Sequence, residues 1–82
     1  MNVVYILFST SINKYYCGQT ANLQERLERH NSGRSKFTKS GVPWKLVHSI
    51  SCSNRSEAIR LESKIKKRGI KRYLLDNHVL GV

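Results

Sequence analysis

Acid is scarce in this sequence. Five Asp and Glu stand against fifteen Lys and Arg among 82 residues, a net charge of +10. Such an excess points to a polyanionic partner, with nucleic acid ahead of an anionic membrane. There are only two cysteines, Cys17 and Cys52, far apart and in no Cys-x-x-Cys spacing, so neither a zinc site nor a disulfide framework is supported. Both read as small buried hydrophobes. No apolar run approaches the ~18 residues that cross a bilayer, and the segment Met1 to Phe8 lacks the basic start and cleavage pattern of a signal peptide. The expected location is the cytoplasm. Internal repeats, linkers and low-complexity stretches are also missing, and one domain over residues 1–82 is expected.

What remains is ordinary globular material, 39% hydrophobic and 24% charged, which argues for a folded chain. Val3 to Phe8 is a continuous apolar run suited to a central strand buried on both faces. Lys14 to Gln19 is rich in aromatic and β-favouring residues and follows a short polar connection, so it pairs with the first strand as an antiparallel hairpin. Asn22 caps a helix to about Ser32, with Gly33 as its stop. Arg34 to Pro43 reads as a basic loop. Trp44 to Ile50 reads as a third strand, placing Trp44, Leu46, His48 and Ile50 on one face against Lys45, Val47 and Ser49. Asn54 and Glu57 form a capping pair for a helix to about Arg68. Gly69 interrupts it, Ile70 to Asn77 makes a short last helix, and Leu80 to Val82 are expected frayed or packed down. The order β-β-α-β-α-α gives an α+β architecture, a small antiparallel sheet with helices against it.

Several polar residues fall where such a fold puts apolar ones. At roughly 100° per residue, Leu23 and Leu27 define the buried stripe of the first helix, His30 lies near its centre line and Arg26 just outside it. Arg26 and His30 are i, i+4 neighbours and reach one point at the rim of the sheet. The ordinary alternative is a snorkelling arginine and a histidine bonded to a backbone group. In the second helix Ala58, Leu61 and Ile65 face inward and Glu62 falls beside them, where an ionised carboxylate needs a cation. That cation is either a metal or one of the abundant lysines and arginines. Tyr5 and Tyr16 face the same way across the hairpin and Tyr15 the other. Gly18 lets a neighbour or ligand come close. His48 and His78 have no partners at ligand spacing. Arg34, Lys36 and Lys39 around Phe37, and Lys66, Lys67 and Arg68 within the stretch from Lys64 to Arg72, are two basic clusters with no acid to offset them, as phosphate contacts require.

These residues stand in a recognisable order: Val3-Val4-Tyr5, Tyr16-Cys17-Gly18, Arg26 and His30, then Glu62 in Ala58-Ile59-Arg60-Leu61-Glu62. The chain resembles the GIY-YIG nuclease superfamily, and more narrowly the small bacterial single-domain proteins in which Val-Tyr-Ile-Leu, Tyr-x-Gly-Gln-Thr, Arg-x-x-x-His-Asn-Ser-Gly, Trp-Lys-Leu-Val and Arg-Ser-Glu-Ala recur. The match runs from Val3 to about Tyr73. Val3-Val4 replaces Gly-Ile and Cys17 replaces Ile, both leaving the tyrosines in place. The asparagine many members carry near the end corresponds to Asn77, on a weak local match.

The resemblance implies a three-stranded antiparallel sheet flanked by helices and hydrolysis of a phosphodiester bond, most simply in DNA with RNA also open, using one Mg²⁺ or Mn²⁺ ion. By the same resemblance Glu62 holds the metal, Arg26 clamps the scissile phosphate, and Tyr5, Tyr16 or a relay through His30 accepts the proton of the attacking water. The competing reading is a non-catalytic basic nucleic-acid-binding module; a ribosome-associated protein ranks below it. The nuclease reading needs all five groups to converge. A Glu62 carboxylate locked by a neighbouring ammonium, or phenols on opposite sides of the sheet, would end the case for it.

Overall fold

A computed structural model describes residues 1–80; of the expected terminal segment, residues 81 and 82 lie outside the described part. The elements are β1 (Asn2–Ser9), β2 (Lys14–Thr20), α1 (Leu23–Asn31), a 3₁₀ turn (Lys39–Gly41), β3 (Trp44–Cys52), α2 (Arg55–Arg68) and α3 (Ile70–Asp76). The three strands form one antiparallel sheet in the order β2-β1-β3. The α+β reading and the order of elements agree with this architecture.

β1 is central because its side chains are apolar on both faces. Val4, Tyr5, Ile6 and Leu7 are all fully buried, and each such side chain stabilises the fold by about 1.5–3 kcal/mol relative to exposure. Alternation along β1 splits the core in two. Val4 and Ile6 meet Cys17, Cys52, Ala58 and Ile65 of α2 and Leu74 of α3. Tyr5 and Leu7 meet Trp44, Tyr16 and, from α1, Leu23 and Leu27. The sheet is therefore sandwiched, with α1 on one face and α2 and α3 on the other.

Both long helices start as expected. The Asn22 side chain accepts from the Glu25 N–H at 3.1 Å, and the Asn54 side chain from the Glu57 N–H at 2.8 Å. The Glu57 carboxylate reaches back to the Ser53 N–H at 3.4 Å, one residue before the cap. Gly69 takes φ 99°, a value only glycine adopts without strain, and so separates α2 from α3.

β3 departs from simple alternation. Its register against β1 shifts between Ile6↔His48 and Leu7↔Leu46, leaving Val47 as the extra residue of a bulge. Trp44 thus packs on the α1 face while Val47 and Ile50 pack on the α2 face. The expectation of one buried face carrying Trp44, Leu46, His48 and Ile50 fails there, and Leu46 is 42% exposed.

Candidate active site

The hairpin register places Tyr5 opposite Gly18 and Leu7 opposite Tyr16. Cross-strand partners share a face, so the two phenols lie on the α1 side, their ring centroids 6.2 Å apart. They are not splayed. A Cβ on Gly18 would lie 2.6 Å from the Tyr5 hydroxyl and 3.1 Å from a Tyr16 ring carbon. The glycine is there because the two rings fill its side-chain space.

From α1, His30 enters the same space. Its Nε2 lies 2.9 Å from the Tyr5 hydroxyl and its Nδ1 2.8 Å from Thr38 Oγ1. The imidazole ring also meets Tyr16 edge-on at 4.9 Å. Tyr5, His30 and Thr38 are at most 2% exposed. Burial, with the charges of Arg26 and Arg29, pulls the His30 pKa below its ordinary value. A neutral imidazole has one donor and one acceptor, so it links Tyr5 to Thr38 by one donated and one accepted bond. Burial, with Tyr16 second, pushes the Tyr5 pKa well above that of an ordinary phenol, although the Arg26 guanidinium opposes the shift. Tyr5 is thus an uncharged, enclosed phenol. Tyr16 and Arg26 are only half-buried, within reach of a bound anion.

Thr38, from the basic loop, is the partner that His30 lacked in sequence. Its backbone carbonyl accepts the indole N–H of Trp44 at 2.7 Å, and the Asn31 side chain bonds both backbone groups of Trp44, at 2.6 and 3.1 Å. The only signal for this network was that a buried imidazole has two nitrogens to satisfy.

Glu62 comes from the other layer. Its side chain is 22% exposed, at the rim of the α2 stripe rather than inside it, and Lys66 Nζ lies 2.6 Å from its carboxylate. The charge of Glu62 acts on Cys17 and, least of the causes, on Tyr5. Burial, with Glu62 second, pushes the Cys17 thiol up to about 12, so this cysteine is an inert filler.

The Glu62–Lys66 pair is the adverse arrangement foreseen above, and its strength decides what it means. An exposed i, i+4 pair is worth roughly 0.3–0.5 kcal/mol, far too little to hold the carboxylate against a divalent ion. Among the described residues no three His, Cys, Asp or Glu side chains gather as metal ligands. A lone carboxylate suits a magnesium ion that keeps most of its water and shares substrate phosphate oxygens, and it does not suit a preformed protein cage.

The cationic candidates divide. Lys66 is taken up by Glu62, and Arg68 binds Asp76 through two contacts of 2.7 and 3.1 Å. The expectation that no acid offsets the α2 cluster therefore fails for these two. Lys67, Lys36, Lys39 and Arg34 are exposed, and the Arg34 side chain bonds Ser32 Oγ at 3.0 Å. Asn77 closes the end of α3 by donating to the Tyr73 carbonyl at 2.8 Å, and no hydrogen bond ties it to Glu62 or the phenols. An open cleft of about 350 Å³ is lined by Asn2, Gln19, Thr20, Ala21, Arg26 and Arg55, two arginines among six residues.

The profile of the GIY-YIG catalytic domain matches residues 1–73. A UPF0213 protein of Syntrophus aciditrophicus is 44% identical over 68 residues, covering 80% of this chain and 77% of that one. A UPF0213 protein of Halobacterium salinarum is 38% identical over 68 residues, covering 82% and 87%. The solution NMR structure of a UPF0213 protein from Bacillus halodurans superimposes with a TM-score of 0.57 at 31% identity, over 93% of this chain and 84% of that one. The family model covers most of the chain and the fold is shared with a related solved structure, so the chain belongs to the GIY-YIG nuclease family.

Proposed function

We propose that the protein is a divalent-metal-dependent endonuclease that hydrolyses phosphodiester bonds in DNA, selecting for DNA structure rather than sequence and cutting one strand per encounter. The observation that carries the proposal is the division between groups a phosphate can touch and groups it cannot. Tyr16 and Arg26 are half-buried at the β2 edge, while Tyr5, His30 and Thr38 form an enclosed hydrogen-bonded row behind them.

Arg26 clamps two oxygens of the scissile phosphate with its planar fork, a charge that never titrates away. The Tyr16 oxygen, its own hydroxyl proton first given up to solvent, takes the proton of the attacking water and returns to the neutral phenol. Tyr5 is unsuited to that task, being enclosed and held protonated. It serves with His30 as a positioning residue that fixes the face on which Tyr16 stands. Glu62 would hold the metal ion, which when bound supplies positive charge to the departing oxygen.

The test uses supercoiled plasmid and flapped DNA with Mg²⁺, Mn²⁺ or EDTA. Nicking should require metal and should fall about 10²-fold or more in Arg26→Ala and Tyr16→Phe, and likewise in Glu62→Ala, with DNA binding retained. A second reading, the non-catalytic binding module, is favoured by Lys66 occupying the Glu62 carboxylate. Equal binding by all variants and cleavage of no substrate would establish it.

A further inference from the structure

Phe37 is 90% exposed and belongs to neither core cluster. A lone exposed apolar residue is ordinary, but the mounting of this one is not. The Thr38 and Lys39 N–H groups both donate to the Ser35 carbonyl, at 3.2 and 3.0 Å, and the Gly41 N–H donates to the Thr38 carbonyl at 3.0 Å. Thr38 itself is buried on His30 and Trp44. The benzyl group therefore projects from a turn fastened on both sides, one residue from the enclosed row. Lys36, Lys39 and Arg34 flank it, and among the described residues no carboxylate pairs with them.

We infer that Phe37 is a stacking platform for an unpaired nucleobase, held there by phosphate contacts from Lys36, Lys39 and Arg34. A flat π face presented rigidly among cations matches one partner closely: a single-stranded stretch, flap or bulge, whose bases are unstacked and whose backbone is anionic. Duplex DNA hides its base faces and gains nothing from this ring. An anionic membrane also meets Lys and Phe, but a single ring buries too little apolar area to anchor a protein. The inference rests on the nucleic-acid reading above and names the substrate feature that the site selects.

The test is binding in EDTA, so that cleavage plays no part. Affinities of the full chain and Phe37→Ala are compared on a 12-nucleotide single strand, a flapped duplex and a blunt duplex at one salt concentration. Phe37→Ala should weaken the single strand and the flap by roughly 5- to 150-fold and leave the blunt duplex unchanged. Phe37→Trp should retain tight binding, and its added indole emission should be quenched by the flap and not by the blunt duplex, over the constant background of buried Trp44. Equal loss on all three DNAs, or no loss on any, would overturn the inference. A protein that nicks nothing yet passes this test refutes the nuclease reading and leaves the platform standing. Nicking that is indifferent to Phe37 on flapped DNA does the reverse.

Discussion

Thr38→Val removes one hydroxyl and keeps the shape of the side chain, so it isolates the bond to His30. The threonine is 1% exposed and the histidine 2%, with 2.8 Å between Oγ1 and Nδ1. After substitution Nδ1 faces a methyl group, with no water able to take the place of the oxygen. Leaving a buried polar atom without a partner costs about 1–3 kcal/mol. A domain of this size has about 4–12 kcal/mol in all, so the loss is a large share. At about 4–8 °C per kcal/mol, the Tm should fall by roughly 5–20 °C in a scan followed by far-UV circular dichroism. The Trp44 bond should survive, because it uses the Thr38 carbonyl. Thr38→Ser, which keeps the oxygen, should recover most of the loss. A Thr38→Val protein that melts with the parent, with unchanged nitrogen shifts for the His30 ring, would refute the claim that this hydroxyl anchors the histidine.

Gly18→Ala sets a methyl 2.6 Å from the Tyr5 hydroxyl and 2.8 Å from its ring carbon; overpacking of this kind costs about 1–3 kcal/mol, and urea unfolding with unaltered stability would mean that the rings have slack. Lys66→Ala and Glu62→Gln should each change stability by about 0.5 kcal/mol or less, while only Glu62→Gln should abolish nicking; loss of nicking in Lys66→Ala as well would make the pair itself part of the site. Stability should also depend on pH through His30. Its folded pKa lies below the ordinary 6.5, so the unfolded chain binds the extra proton first. The stabilisation is complete above about pH 6.5 and declines as pH falls from there through the depressed folded value. Urea midpoints between pH 7.5 and 5 should fall for the parent and flatten in His30→Gln; parallel curves would dismiss the buried neutral imidazole.

Sequence periodicity reached far into this fold because most of its signals are local. Alternation alone put Tyr5 and Tyr16 on one face, and Asn22 and Asn54 announced the starts of α1 and α2. What escaped depends on contacts distant in the chain. The bulge at Val47 arises from how β3 meets β1, and nothing in Trp44 to Ile50 alone marks it. Thr38 sits in a loop with no period, eight residues from the ring it supports. For Glu62 the helical wheel resolved direction but not depth: it lies at the rim, where a lysine one turn away reaches it from solvent. The same limit applied to Arg68, whose partner Asp76 lies on the next helix, beyond a bend set by Gly69.

The two-layer core carries one further consequence. The aromatic and cationic groups proposed for catalysis stand on the α1 layer and the carboxylate proposed for the metal on the α2 layer, so the span between them is a thickness of packed side chains. Trimming Ile65 or enlarging Ala58, neither of which touches substrate, would move one jaw relative to the other. Turnover in this protein should therefore be tunable from beneath, by residues no inspection of its surface would nominate.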